Sequence, residues 1–255
     1  MPRKATALLL LALLAGCAAS GGGNTSRSGE PSAQQRAAET NLKLGQAYMQ
    51  SGELEHALDK LQKAIQLDPR SAQAHTVLAI LLERIGRNDK AGDHYERSVQ
   101  LTPTEGNVLN NYGAYLCRHR RHAEADAMFA RALDDPFYRT PGAALANAGV
   151  CAAEAGDAQQ AERYFRRALE FNPADTTALL HLAQIQYDKG EFLRARAFVQ
   201  RMEGAGGVSP NALELGARIE DRLGDGKAAA RYRDRLANEY PGFVPQNPSG
   251  ETRSP

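Results

Sequence analysis

The chain has 255 residues, enough for one or two ordinary domains or a solenoid, so a core can form without obligatory disulfide or metal staples. Lys and Arg number 31 against 30 Asp and Glu, a formal charge of +1 that offers no basic field for a nucleic-acid partner. Alanine is abundant, tryptophan is absent and β-branched residues are scattered, a balance that predicts an all-α protein.

The first element is an apolar leader. Met1 to Lys4 is a short positive stretch, Ala5 to Leu14 is an apolar run, and Ala15-Gly16 supplies small residues before Cys17, the three-part plan of a secretory signal. The run is too short to cross a hydrocarbon core, which takes about 20 residues. The tetrad Leu14-Ala15-Gly16-Cys17 resembles the bacterial lipobox. That resemblance implies that residues 1–16 are cleaved and that Cys17 becomes an anchor carrying a diacylglycerol on sulfur and a further N-acyl chain; no other cofactor is expected. A plain secretory signal with an incidental cysteine is the alternative. Each buried methylene contributes about 0.8 kcal/mol, so one acyl chain holds a protein marginally and three hold it durably. Ala18 stands where an inner-membrane retention signal usually has Asp, so the resemblance implies the inner leaflet of the outer membrane, facing the periplasm. Residues 17–35 then read as the lipidated cysteine and a Gly/Ser-rich flexible tether with a reach of roughly 20 Å.

A repeat follows. Gly52, Gly86, Gly156, Gly190 and Gly224 recur at 34-residue steps, with one 70-residue interval that fits two repeats and two extra residues. Ala57, Ala91, Ala125, Ala161, Ala195 and Ala229 keep the same frame. Small residues stand twelve before each of them (Gly45, Ala79, Gly113, Gly149, Ala183, Ala217), and large ones four after (Leu61, Tyr95, Phe129, Phe165, Val199), with Arg233 departing. Pro69, Pro103, Pro173 and Pro241 close four repeats, Pro136 comes one place early, and the fifth repeat has none. This pattern resembles the tetratricopeptide repeat, a pair of antiparallel helices A and B: small residues let the two backbones approach, large ones fill the space between repeats, glycine caps helix A and proline stops helix B. The expectation is a right-handed superhelical solenoid of six hairpins within residues 36–243, at 38–71, 72–105, 106–139, 142–175, 176–209 and 210–243. The two extra residues fall in DDPFYRTPG and predict a longer connection into the fourth repeat, while residues 244–255 read as a disordered tail.

Such a solenoid exposes its A helices along a concave face. The second, fifth, ninth and twelfth positions of each repeat are expected to line it, apolar for five repeats and charged in the sixth. Leu42, Gln46, Met49, Thr76, Ile80, Asn110 and Ala114 are the expected contacts of a protein partner. Burial of several of them between repeats is the competing reading, and Asn111 is expected to bond locally between helices. Leu42 and Gln46 stand where the carboxylate clamp of chaperone-binding repeat proteins needs Lys and Asn, which argues against that role. His119 and His122 in RHRRH could touch one metal, but the adjacent arginines and the want of a nearby third ligand favour a solvated turn. Cys117 and Cys151 lie on successive A helices in an oxidising compartment, where a disulfide is conceivable; their different ring positions, twelve and ten, favour two buried thiols. No nucleophile elbow, phosphate loop or metalloprotease motif occurs, so neither an enzyme nor a small-molecule substrate is expected.

The lipobox, the short tether, the six repeats, the stretch VLNNYGAYL (Val108 to Leu116) and the closing RLANEYPG (Arg235 to Gly242) together resemble the type IV pilus biogenesis/stability proteins, the PilF/PilW pilotins. The resemblance implies a carrier that binds secretin subunits and promotes their localisation and multimerisation in the outer membrane. A general periplasm-facing scaffold for envelope or peptidoglycan enzymes is the alternative.

Overall fold

The computed structural model describes residues 31–244; the leader, Cys17, all but the end of the tether, and residues 245–255 lie outside them. Twelve helices run in order: α1 (Ala33–Ser51), α2 (Leu54–Leu67), α3 (Ala72–Arg84), α4 (Asn88–Leu101), α5 (Gly106–Arg118), α6 (His122–Leu133), α7 (Pro141–Glu154), α8 (Ala158–Phe171), α9 (Thr176–Asp188), α10 (Phe192–Gly204), α11 (Pro210–Leu223) and α12 (Gly226–Glu239). No strand occurs among the described residues. Consecutive helices pair as six hairpins, and each hairpin packs on the next, so the all-α solenoid expected from the period is what forms. No described helix is long and apolar enough to cross a membrane.

The first helix opens at Ala33, inside the stretch expected to be tether. Ser32 supplies the reason: its hydroxyl accepts from Gln35 N at 3.1 Å, and Gln35 Oε1 accepts from Ser32 N at 2.8 Å, a complete capping box. At the other helix ends the prolines act as expected. Pro69, Pro103, Pro173 and Pro241 each stand just beyond the last turn of a B helix.

The frame-setting alanines of the B helices have no exposed surface, from Ala57 through Ala229. Opposite them the A helices come close enough that a side chain would collide. A Cβ on Gly45 would sit 2.6 Å from Leu61 Cγ, one on Gly113 2.8 Å from Phe129 Cε1, and one on Gly149 2.6 Å from Phe165 Cε1. In the sixth hairpin the departure at Arg233 resolves into a shift of one residue: Tyr232 is the filler, 2.8 Å from where a Gly216 Cβ would be, while Arg233 pairs with Asp221 at the surface.

Five of the A-to-B turns use glycine in the left-handed conformation, Gly52, Gly86, Gly156, Gly190 and Gly224, with φ between 76° and 83°. The third turn, inside the 70-residue interval, uses Arg120 at φ 59°. Its Cβ crowds the following carbonyl in that conformation, a cost of about 1 kcal/mol. The longer connection into α7 spans residues 134–140 and is folded back on the third hairpin. Asp135 accepts from Gly106 N at 2.8 Å and from Phe137 N at 2.9 Å, capping α5 from the far end of its own repeat, and the Tyr138 ring covers Gly106. Replacing Arg120 by Gly is expected to raise the unfolding free energy by about 0.5–1 kcal/mol, because the strain disappears while no contact of the core is lost. Urea unfolding of the two chains checks this.

Candidate partner-binding groove

Neighbouring A helices touch along the whole row, α1 with α3, α3 with α5, α5 with α7, α7 with α9 and α9 with α11, while no two B helices do so among the described residues. The A helices therefore line the inside of the curve, where any groove must be. Because they run side by side in one direction, each has a face turned toward the next A helix and a different face open to the groove.

Positions five and twelve of a repeat are seven residues apart and share one helix face; positions six and ten, four apart, share another. The first face of one A helix meets the second face of the next. Asn147, at position six of α7, donates to Asn110 Oδ1, at position five of α5, at 3.0 Å. Position five is thus a seam position. Leu42 and Thr76, expected on the groove surface, are instead buried at 5% and 6% exposure, and Thr76 spends its hydroxyl on Ala72 O at 3.1 Å. Met49, at position twelve, packs against the core. The interhelix bond expected of Asn111 belongs to Asn110; Asn111 donates to Asn107 O within its own helix at 2.8 Å.

What remains open is the pair of positions two and nine. Gln46, Ile80 and Ala114 lie there as expected, Ile80 at 36% exposure, and the ninth positions continue as Val150, Gln184 and Arg218. The apolar part of the groove is therefore shorter than expected, centred on Ile80, Ala114, Ala143 and Val150, with Glu39, Gln46 and Gln73 before it. Beyond it lies a charged end in the sixth hairpin, where the Arg218 guanidinium stands 4.5 Å from the Tyr187 ring centroid and Arg222 stands 4.4 Å from that of Phe192. A cavity of about 220 Å³ lined by Leu180, Gln184, Asn211, Glu214 and Arg218 opens at this end.

Among the described residues, one ion pair bridges two of the first three hairpins. Glu83 accepts from Arg118 Nε at 2.9 Å and Nη2 at 2.7 Å, a bidentate pair, and from the Tyr95 hydroxyl at 3.0 Å. Burial and the Glu83 carboxylate push the Tyr95 phenol well above its ordinary range, so this hydroxyl donates and does not titrate. The Tyr112 phenol, buried and bonded to Glu96, is pushed up to about 12. These groups hold the third hairpin to the second; their partners are all within the protein.

The seam rule also corrects the reading of the cysteines. Cys117 and Cys151 are disulfide-bonded, with Cα atoms 5.6 Å apart. Positions twelve and ten differ by about 200° around the helix and 3 Å along it, so on two parallel neighbours they point at each other across the seam. The difference in ring position taken as separating them is what brings them together. The two histidines of RHRRH diverge: the His119 ring packs on Tyr115 with centroids 4.4 Å apart, whereas His122 Nδ1 lies 3.5 Å from Cys151 Sγ and 3.9 Å from Cys117 Sγ. The carboxylate of Glu154 is 3.5 Å from Cys117 Sγ. In the sequence His122 pairs with His119 rather than with the cysteines, and Glu154 does not stand out, because the four ligand-type groups come from three different helices.

Comparison with known proteins agrees with this geometry. Family models described as TPR repeat and Tetratricopeptide repeat match residues 45–86, 113–176 and 152–219. The chain is 30% identical to the type IV pilus assembly protein PilF of Pseudomonas aeruginosa over 242 residues, 95% of each chain. A solved structure of that organism's pilF superposes with a TM-score of 0.77 at 29% identity, covering 83% of this chain and 96% of the other. The structure of PilW, described as a widely conserved type IV pilus biogenesis factor, superposes with a TM-score of 0.75 at 30% identity, covering 81% and 94%.

Replacing Cys117 and Cys151 by Ser together is expected to lower the unfolding free energy by about 3–4 kcal/mol, the loop-closure entropy of a 34-residue separation. Chemical unfolding under non-reducing conditions measures it, and added reductant should destabilise the parent chain while leaving the double variant unchanged.

Proposed function

The chain belongs to the type IV pilus biogenesis family of tetratricopeptide-repeat proteins represented by PilF and PilW, and from that membership we propose that it is an outer-membrane pilotin. In this reading Cys17 carries the acyl chains and residues 18–31 leash the solenoid to the inner leaflet. The concave row then holds a segment of a secretin subunit and carries it to the membrane where the ring assembles. The observation that bears most weight is the match to PilF along 95% of both chains, since it extends over the repeats and the segments flanking them. The lipobox supports the anchor. Three acyl chains make release from the bilayer negligible, so whatever the groove binds is confined to the same surface.

The groove suits a protein segment better than a compact ligand. Its open positions form a strip along the A helices, apolar at Ile80, Ala114, Ala143 and Val150 and polar at both ends. The role is that of a binding scaffold and no catalytic step is assigned to it.

Deleting the gene is expected to abolish heat- and detergent-resistant secretin multimers; multimers at parental abundance in the outer membrane would overturn the reading. Replacing Cys17 by Ser should leave the helix content unchanged while moving the protein from the membrane fraction to the soluble periplasm and impairing multimer assembly. Ile80→Arg places a long charged side chain in the apolar strip at an exposed position. It is expected to weaken secretin capture by about tenfold or more with the unfolding midpoint unchanged; Leu42→Ala, whose side chain is in the seam, should lower stability first.

A further inference from the structure

Four side chains from three helices converge at the seam between the third and fourth hairpins: Cys117 at the end of α5, His122 at the start of α6, and Cys151 and Glu154 in the last turn of α7. We propose that, when the Cys117–Cys151 disulfide is reduced, these four groups bind one zinc ion, so that the same junction is held either by a covalent bond or by a metal. The inference does not depend on which partner occupies the groove.

The donor set and its spacing carry it. Two thiolates, one imidazole and one carboxylate are the ligands of tetrahedral zinc, and they occur as C-x4-H and C-x2-E on adjoining helix ends. With zinc–sulfur bonds of about 2.3 Å and zinc–nitrogen or zinc–oxygen bonds of about 2.0–2.1 Å, the edges of such a tetrahedron are about 3.5–3.8 Å. Three edges already fall in or near this range: His122 Nδ1 to Cys151 Sγ 3.5 Å, Cys117 Sγ to Glu154 Oε2 3.5 Å, and Cys117 Sγ to His122 Nδ1 3.9 Å. Cys117, His122 and Cys151 already have donor atoms within 4.8 Å of one another; the two sulfurs must part, which a Cα separation of 5.6 Å allows by side-chain rotation, and the exposed Glu154 side chain must swing in as the fourth ligand. Both cysteines are buried while His122 is half-buried and Glu154 exposed, so the site is closed on the protein side and open on the other. A cavity of about 340 Å³ lined by His122, Ala148 and Cys151 gives an ion its way in.

Two of the three arginines of RHRRH are neutralised by carboxylates. Arg118 is bonded to Glu83, and Arg121 makes a bidentate pair with Glu124 at 2.7 Å to each oxygen. The exchange balances as follows. A dithiol reductant transfers two electrons and two protons to the disulfide, leaving as its own disulfide, and two thiols form. Zn²⁺ then displaces both thiol protons to solvent and forms two zinc–thiolate bonds. A disulfide oxidant removes two electrons from the thiolates, restores the S–S bond, becomes a dithiol by taking up two protons, and the ion is released.

The test uses the full chain carrying Cys17→Ser, in which Cys117 and Cys151 are the remaining thiols. After reduction with a phosphine, Co²⁺ and then Zn²⁺ are titrated anaerobically. One Co²⁺ per chain is expected, with the near-ultraviolet thiolate charge-transfer band and intense visible bands of a tetrahedral site, displaced by one Zn²⁺; the disulfide form should bind neither. His122→Ala and Glu154→Gln are each expected to weaken zinc binding by about tenfold or more with helix content retained. A reduced chain that takes up no tetrahedral cobalt overturns the proposal. So does an affinity and a cobalt spectrum unaltered in both variants, which would mean that zinc rests on the two sulfurs alone.

Discussion

The close approach of each A helix to its B partner governs the rest of the structure. A glycine or alanine on A lies directly against a large side chain on B, and where the small residue is glycine even one added carbon would overlap Leu61, Phe129 or Phe165. Interiors are packed as tightly as organic crystals, so this contact sets the interhelix distance and angle within a hairpin and, with them, the way the next hairpin stacks. Because the contact recurs every 34 residues, the solenoid is a sum of similar local decisions rather than one global one. The sixth hairpin shows that the contact matters more than the frame: Gly216 and Tyr232 reproduce it one residue out of step, and the hairpin still closes.

The same stacking decides how wide the groove can be. With neighbouring A helices in contact, their fifth and twelfth positions close into the seams and the second and ninth remain open; in the sixth hairpin, whose A helix has no successor, the fifth position, Glu214, lines the open end as well. Leu42 and Thr76 therefore contribute stability to the row rather than surface to a partner. Ile80, Ala114 and Val150 keep an apolar strip in the middle, and Arg218 and Glu214 make one end polar. A strip of that kind suits an extended or helical protein segment laid along several repeats.

The junction of the third and fourth hairpins carries most of the irregularity in the chain. It has the longest connection, at 134–140, and lies next to the one A-to-B turn without glycine. It is also where extra bonds gather: Asp135 caps α5, Asn147 reaches Asn110, Tyr164 donates to Asp126 at 2.6 Å, and Cys117 is joined to Cys151. An insertion that disturbs the repeat is offset by contacts the other junctions do not need.

The helices, their order, their pairing and most of their ends were legible in the sequence, since periodicity, capping residues and prolines act through contacts within about 34 residues. Family membership was legible from stretches such as VLNNYGAYL and RLANEYPG set in the repeats, and PilF matches the chain at 30% identity over 95% of each. The start of α1 at a capping box and the filler role of Tyr232 are local details that the 34-residue frame passes over; the burial of Leu42 and Thr76 and the meeting of Cys117 with Cys151, His122 and Glu154 depended on how one hairpin sits against the next. A repeat position states which side of its own helix a residue occupies. Whether that side faces solvent, a groove or a neighbouring helix is set by the rotation between stacked hairpins, and that rotation exists only once the small and large side chains have packed.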